Sequence, residues 1–457
     1  MDLLERFRHH LSALPLTEGR ALVAVSGGPD SIVLLDLLQR STDLHRQELV
    51  VAHFDHGISP MSGEVAAAVQ ALAASRGFAF ECGSGALGPG AGETAARAAR
   101  YTWLEAARVR QGAHSVFTAH HADDQIETIL MRLLAGSGPA GLAGMASVSG
   151  TLVRPLLPFR REALARYARD AGLAVWLDPA NHDPRHLRSW VRCELLPLLR
   201  VRLPTIDAAL ERVGSQAARD RAAWDAVLEV LPGLEPRSED HGISVAGASL
   251  AGYDSALAET VLMALARRVG CRLGPARAQR LLQLARHGGS GAVVPLGGEW
   301  KAELAFGRLL LLRTPAPGRV APAEGWLLEG ESGEGAWGGW RIRWSRETAP
   351  DLQPRAGLSA WFAPEALATE AQPLATEAQP LTVRRWMPGE KVRPLAGVGR
   401  RLIVRCFQDA RIPRTRRSEW PVLARQDDVV WIPGVCRSDA LLPARGTEAL
   451  RVDAEYA

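Results

Sequence analysis

Residues 21–26 form a short apolar run that breaks into Gly27-Gly28-Pro29-Asp30-Ser31. A helical pattern follows over 29–39, with Ile32, Leu34, Leu35, Leu37 and Leu38 on its apolar face. A strand that feeds a helix through a glycine turn is one βα unit, and it needs a partner strand running the same way. Further strands are expected at 48–53, 78–82 and 115–119, followed by helices at 63–76, 92–110 and 123–134. This alternation predicts an α/β fold with a parallel sheet. In such sheets ligands bind at the loops that leave the carboxyl ends of the strands.

The first of these loops has the chemistry of a phosphate cradle. Gly27 and Gly28 let the backbone turn tightly and approach an anion with no Cβ in the way. The next helix presents free N–H groups and the positive end of its dipole, and Pro29 suits a first helical turn. Ser26 and Ser31 can donate hydroxyl hydrogen bonds, and Asp30 can hold Mg²⁺ bridging phosphates. An ordinary βα turn would also tolerate Gly-Gly-Pro-Asp, but the full six-residue string between strand and helix favours the cradle. Of 54 basic residues only Lys301 and Lys391 are lysines. Their absence from the first 300 residues excludes a Walker A loop there and argues against a lysine nucleophile.

Three more strings carry functional groups. The second strand ends in Ala52-His53-Phe54-Asp55-His56-Gly57. Glu93, Arg97 and Arg100 share one helical face, with Tyr101 beside them. The fourth strand runs into His120-His121-Ala122-Asp123-Asp124-Gln125-Ile126-Glu127, which sets Asp124 and Glu127 one turn apart. Taken alone, these carboxylates could simply offset a helix dipole. The His/Asp strings also have a superficial likeness to a dinuclear metal site, as in a metal-dependent phosphoesterase. Arg100 and Tyr101 read as packing or surface residues.

Ser-Gly-Gly-x-Asp-Ser after a first strand resembles the signature of the PP-loop ATP pyrophosphatases, which split ATP between the α- and β-phosphates to adenylate an oxygen. The other three strings, with residues 130–138, Arg154-Pro155-Leu156, 178–196 and 381–435, resemble in order and spacing the tRNA(Ile)-lysidine synthetases. One departure is that Ser189 follows Arg188 where the family usually has asparagine, while Arg192 is kept. The resemblance implies an ATP- and Mg²⁺-dependent carbon–nitrogen ligase. ATP would adenylate the 2-oxygen of the wobble cytidine in the isoleucine tRNA with a CAU anticodon. Free L-lysine would then displace AMP at C2 to form lysidine, changing the codon read from AUG to AUA. On this reading Ser26, Gly27, Gly28, Pro29, Asp30 and Ser31, with His53 and His120, bind the nucleotide, and Asp30 also carries Mg²⁺. Asp55, Asp124 and Glu127 bind the lysine ammonium or take its proton, and Arg97 holds the AMP phosphate. The expected catalytic set is Asp30, Asp55, Arg97, Asp124 and Glu127.

The expected organisation is a PP-loop domain over 1–203, a helical linker over 204–231 and a small mixed α/β domain over 232–313 that contacts tRNA. A linker and variable segment, 314–380, precedes a basic, strand-rich C-terminal module at 381–457. The variable segment carries the heptapeptide Leu-Ala-Thr-Glu-Ala-Gln-Pro twice in succession at 367–380. The formal net charge is only +4, yet residues 384–417 hold eleven bases and two acids. With Trp386, Phe407 and Trp420 nearby, that tract suits phosphate contact and stacking on bases, although a solvated arginine-rich face is the plain alternative. The expected tRNA contacts are Arg154, Arg188, Arg192, Arg384, Arg385, Arg400, Arg401, Arg414, Arg416 and Arg417. The five cysteines are never closer than 30 residues, which provides neither a disulfide framework nor the cysteine pair of a thiolase. No apolar run is long enough to span a bilayer, and a cytoplasmic setting is expected. A homodimer is compatible with the sequence, which leaves the assembly state open. A tRNA-binding protein without activity is the remaining rival.

Overall fold

The computed structural model describes residues 2–57, 62–85, 93–176, 187–314, 324–363 and 380–456. The chain divides into two compact units, Met1–Ala223 and Trp224–Ala457. The duplicated heptapeptide lies outside the described residues, Pro380 excepted.

The first unit begins with α1 (Leu3–Ser12), β1 (Gly19–Ala24), α2 (Pro29–Gln39), the short α3 (Thr42–His45) and β2 (Gln47–Asp55). It continues with α4 (Ser62–Ser75), β3 (Ala79–Ser84), α5 (Glu93–Arg110), β4 (Ser115–Phe117) and α6 (Ala122–Leu134). β5 (Val148–Ser149), β6 (Leu152–Val153) and α7 (Arg161–Asp170) follow. The six strands form one sheet in the order β3-β2-β1-β4-β6-β5, parallel except for β5. The pleat sends alternate residues of β1 to opposite faces. Ala21 and Val23 pack with Leu34 and Leu35 of α2 and Val69 and Ala73 of α4, whereas Leu22 packs with Leu104 and Ala107 of α5. A buried carboxylate fixes the first of these layers. Asp36 of α2 accepts from Arg40 at 2.8 Å, Arg76 at 2.9 Å and the Tyr167 hydroxyl of α7 at 2.7 Å. Strand order reverses direction in sequence between β1 and β4. Their outgoing loops therefore flank the crevice where a parallel sheet binds ligands.

The chain continues with α8 (Leu187–Trp190), one π-helical turn (Val191–Leu195), α9 (Leu196–Arg202) and the long α10 (Ile206–Val230). The second unit opens with β7 (Arg237–Glu239), β8 (Gly242–Ala246), α11 (Gly247–Gly252), α12 (Ser255–Arg268) and α13 (Pro275–His287). β9 (Ala292–Gly297), β10 (Trp300–Ala305) and β11 (Arg308–Arg313) complete a five-stranded sheet, β7-β8-β11-β10-β9. Next come β12 (Trp326–Leu327), β13 (Ser332–Trp337), β14 (Trp340–Thr348), β15 (Ser359–Phe362) and β16 (Thr382–Arg385). β17 (Lys391–Val392), β18 (Arg401–Leu402), α14 (Ile403–Asp409) and α15 (Arg414–Arg417) lead to β19 (Pro421–Arg425), β20 (Asp428–Ile432), β21 (Cys436–Arg437) and β22 (Glu448–Tyr456).

Strands that precede residue 381 pair with strands of the C-terminal module. β14 pairs along its whole length with β22, and β12 pairs with β16. The cause is a period-two pattern. Trp340, Ile342 and Trp344 alternate with Arg341 and Arg343, turn inward and join Trp337, Phe362 and Val452 in one core. Gly338-Gly339 makes the two-residue turn between β13 and β14.

Glu303 of β10 joins the mixed sheet to α15. It is 1% exposed and accepts from the backbone N–H groups of Arg414 at 2.7 Å and Thr415 at 2.9 Å, and from the Thr415 hydroxyl at 2.6 Å. Removing this acceptor from three part-buried donors should destabilise by about 1–3 kcal/mol. Chemical denaturation of Glu303→Ala should therefore show a clearly lower midpoint, with Glu303→Gln between it and the parent. A midpoint unchanged in Glu303→Ala would refute this role.

Candidate active site

The loop after β1 is shaped for close approach. Gly27 has φ +87°, and a Cβ there would lie 2.8 Å from Val65 Cγ1, so both conformation and space demand glycine. The Ser31 hydroxyl donates to the Gly28 carbonyl at 2.8 Å and accepts from the Ser26 N–H at 3.2 Å. The Ser26 and Ser31 hydroxyls lie 3.3 Å apart. Pro29, which has no N–H, and Asp30 open α2, and the N–H groups of Ser31 and Ile32 both donate to the Gly28 carbonyl at 3.1 Å. His53, buried on β2, has Nδ1 2.8 Å from the Val25 carbonyl and ties the end of β1 to its neighbour.

The loop after β4 supplies the other half. His121, 1% exposed, caps α6: its backbone N–H donates to Asp124 at 3.1 Å, and its Nδ1 accepts from the Asp124 N–H at 3.4 Å. Its Nε2 lies 3.5 Å from Asp30 Oδ2 and 3.4 Å from Asp124 Oδ2. One imidazole thus links the phosphate loop to the acidic helix. Sequence reasoning chose His120 and passed over His121, although the His-His-x-Asp-Asp spacing of a helix cap was there to be read.

Asp124 and Glu127 are buried and paired. Arg188 donates to Glu127 and to Asp124, each at 2.9 Å. Arg192 donates from Nε to Glu127 at 2.6 Å and from Nη2 to the other Glu127 oxygen at 2.9 Å and to Asp124 at 3.5 Å. Burial would push the Asp124 carboxyl up, but His121, Arg188 and His120 outweigh it and hold it below the usual range. Arg188 and Arg192, expected among tRNA contacts, are here committed to these carboxylates. The π turn at Val191–Leu195 shifts the helical phase between them.

His120 is buried, with Nδ1 3.0 Å from the Thr118 hydroxyl. Burial, reinforced by Arg97, Arg154 and Arg100 against the opposing pull of Asp124, lowers its pKa to about 3. Unfolded, this imidazole protonates near pH 6.5; folded, it resists the proton, so stability is lost as pH falls from about 6.5 towards 3. The His120→Gln protein should lose less melting temperature between pH 7 and pH 5 than the parent. Equal losses would show that another group governs acid sensitivity.

Asp55 ends β2. Its carboxylate accepts from the Gly57 N–H at 2.8 Å in a turn leaving β2. Among the described residues no group of three His, Cys, Asp or Glu side chains is arranged to hold a metal ion. Asp30 fits Mg²⁺ in a different way. It is one partly exposed carboxylate at a helix N-terminus, and its only close side-chain partner among the described residues is His121. That is the donor set of an ion completed by phosphate oxygens and water. A cavity of about 310 Å³ flanks α6 near Gln125, Ile129 and Gly214, but none of these carboxylates lines it.

In the terminal module several arginines of the basic tract are internally paired. Arg384 binds Glu390 at 2.6 Å, Arg400 binds Asp428 at 3.0 Å, Arg401 pairs with Asp409, and Arg416 binds Asp240 at 2.8 Å. Arg417 is buried and donates to the Ile412 carbonyl at 2.8 Å. Arg385 and Arg414 are exposed. The expected stacking platform is corrected: Phe407 is fully buried, and Trp386 and Trp420 pack around it with ring centroids at 5.5 and 6.1 Å. These rings form the module's core, because an aromatic beside an arginine run covers apolar area more readily than it stays exposed.

Among the described residues no helix is long and apolar enough to cross a membrane. The PP-loop domain family matches residues 3–199, and the TilS substrate C-terminal domain family matches residues 381–454. The chain is 31% identical to the tRNA(Ile)-lysidine synthase of Symbiobacterium thermophilum, across 99% of this chain and 98% of that protein. It is 34% identical to the enzyme of the same name from Alkalilimnicola ehrlichii, across 94% and 92%. A 41% match to that of Novosphingobium aromaticivorans covers 49% of this chain and 68% of the relative. With a PP-loop ligase domain at one end and the substrate module at the other, the chain belongs to the tRNA(Ile)-lysidine synthase family of ATP-dependent ligases.

Proposed function

We propose that this ligase joins free L-lysine to C2 of the wobble cytidine of the CAU-anticodon isoleucine tRNA, consuming ATP and releasing AMP and pyrophosphate. The observation that carries the reading is the His121 bridge, which sets the phosphate loop's Asp30 and the Asp124–Glu127 pair in one crevice at the sheet's switch point. ATP lies along the loop after β1, its phosphates on the α2 N-terminus, on Ser26 and on Ser31. Asp30 would hold Mg²⁺, which would supply positive charge against the departing pyrophosphate. The cytosine 2-oxygen attacks the α-phosphorus, and lysine then attacks C2 as AMP leaves.

Free lysine is a zwitterion with two ammonium groups and one carboxylate, and the pocket's two carboxylates and two guanidinia complement it. Asp124 and Glu127 receive ammonium groups, while Arg188 and Arg192 turn to the lysine carboxylate. Because Asp124 is held ionised, it suits cation binding better than proton removal. The attacking ammonium, with an ordinary pKa of about 10.4, must still lose a proton, and leaving water for this buried pocket favours its neutral form. Exposed Arg385 and Arg414 contact tRNA phosphates, with Arg400 and Arg401 close to solvent beside their partners.

The reading is tested by product release: AMP and pyrophosphate should form in equal amounts only when lysine and this tRNA are both present. Steady release of ADP and phosphate would contradict it. In the basic tract, the double substitution Arg385→Ala with Arg414→Ala should weaken tRNA binding and reduce the slope of log affinity against log salt by about 2. An unchanged slope would assign those residues another role.

A further inference from the structure

α8, the π turn and α9 run on without a break, because Trp190, Leu195 and Leu196 all keep right-handed helical backbone angles. The result is one rod, Leu187–Arg202, with Arg188 and Arg192 towards its start and Arg200 near its end. Val191 and Leu196 of the rod share an apolar cluster with Ile126, Ile129 and Leu130 of α6. Apolar contact is non-directional and tolerates a small slide or rotation of one helix on another. Directional contacts sit at both ends of the rod. At the start, Arg188 and Arg192 grip Asp124 and Glu127. At the end, Arg200 Nε donates to the two oxygens of Asp207 of α10, at 3.1 and 3.2 Å, and Arg200 Nη2 lies 3.8 Å from Asp123.

Asp123 stands next to Asp124 in the first turn of α6 but binds a different set of groups. It accepts from the Arg161 N–H at 2.7 Å and lies 2.8 Å from Arg160 Nη2. Arg160, at the N-cap of α7, donates in turn to Asp207 at 2.5 Å and to Glu211 at 3.3 Å. Asp123, Arg160, Asp207 and Arg200 therefore form one line of alternating charge that joins the start of α6 to the far end of the rod. Burial would push the Asp207 carboxyl up, but Arg200 and Arg160 outweigh it and hold it below the usual range. The plain reading of such a line is stability, and exposure argues against it. The Arg160 and Arg200 side chains are 38% and 37% exposed, and ion pairs that wet contribute little to folding. Planar guanidinium forks instead fix the slide and rotation that apolar packing leaves free.

We propose that Asp123, Arg160, Asp207 and Arg200 are positioning residues for the amino-acid pocket. By fixing the far end of the rod, they hold Arg188 and Arg192 in register with Asp124 and Glu127. The inference rests on the reading of that pocket as the lysine site. Among the described residues the ion-pair partners of Asp207 are Arg160 and Arg200, so Asp207 acts on the pocket through the rod. A misplacement of about 1 Å caused far from the chemistry can cost on the order of 10²-fold. A rod still held by its apolar side loses less.

The test uses the full chain with Asp207→Asn, Arg200→Gln, the two combined, and the charge-conserving Arg200→Lys. Melting temperature, the KM for lysine and the KM for ATP are measured by AMP release in the presence of the tRNA, and amide hydrogen exchange is followed over residues 187–202. Asp207→Asn and Arg200→Gln are expected to raise the lysine KM about five- to tenfold and to leave the ATP KM within about twofold of the parent. Melting temperature falls by no more than about 3 °C. Exchange over 187–202 becomes faster while that of α2 is unchanged. The combined variant is no worse than Asp207→Asn alone, because the two residues act as one unit. Arg200→Lys recovers most of the loss. An unchanged lysine KM with parent-like exchange over 187–202 would overturn the proposal. So would a parallel rise of both KM values with melting several degrees lower, which is the signature of a merely structural role. AMP release by the parent that ignores lysine would remove the lysine reading, and faster exchange over 187–202 would then still uphold the pinning of the rod. A lysine-dependent parent whose Asp207→Asn variant keeps the parental lysine KM would do the reverse.

Discussion

Asp30→Ala is expected to abolish ATP-dependent turnover, by a factor on the order of 10² or more, while tRNA affinity stays within about twofold of the parent. The reasoning is local. Asp30 is the carboxylate in the first turn of α2, beside the glycine turn and the paired Ser26 and Ser31 hydroxyls. Among the described residues its one ion-pair neighbour is the His121 imidazole at 3.5 Å, so its loss removes the proposed metal ligand without leaving a guanidinium stranded. The fold should therefore survive, and melting temperature is the control. Asp30→Asn should fail almost as badly, because an amide keeps the shape but loses the charge a hard cation needs. Turnover near that of the parent would sink the placement of Mg²⁺ at this residue.

Asp124→Asn is expected to raise the KM for lysine by a factor on the order of 10–100, with a smaller effect on the KM for ATP. The carboxylate it removes is buried against Arg188, Arg192 and His121, and its depressed pKa shows that the folded chain favours its charge. The same substitution leaves Arg188 with Glu127 alone, so some loss of stability accompanies it. The KM split separates the two effects: destabilisation alone would lower the amount of active enzyme and leave both KM values where they were. An unchanged lysine KM would contradict the assignment of this pocket to the amino acid.

Much of the first unit was legible because its signals are local. The apolar run before Gly27 and the helical spacing after it give β1 and α2 within a residue or two of their observed bounds. The same holds for the strand–loop–helix passage that carries Asp124 and Glu127. What was not legible is long-range. Nothing about Arg188 or Arg192 in sequence announces that they close on carboxylates some sixty positions earlier, and an arginine-rich stretch was naturally read as an RNA contact. The meeting of Arg97 with Tyr101 and Arg154 was hidden in the same way, since Arg154 nears Arg97 only once β6 lies beside β4. In the second unit the Trp-rich strands from Trp326 to Phe362 were lost between two low-complexity stretches, although their period-two pattern is clear once β22 is known to pair with β14. Arg417, Phe407 and Trp420 show the limit of composition as a guide to surfaces, because the core of a small strand-rich module recruits the same residues an RNA platform would use.

The proposed ligase attaches lysine covalently to one tRNA. Radiolabelled L-lysine should enter acid-precipitable RNA when the purified protein, ATP and Mg²⁺ are supplied with the CAU-anticodon isoleucine tRNA. Label should not enter without ATP, with Asp30→Ala protein, or with that tRNA carrying uridine in place of the wobble cytidine. Incorporation that persists without ATP, or that ignores the wobble base, or no incorporation at all by a protein that binds both ATP and the tRNA, would contradict it.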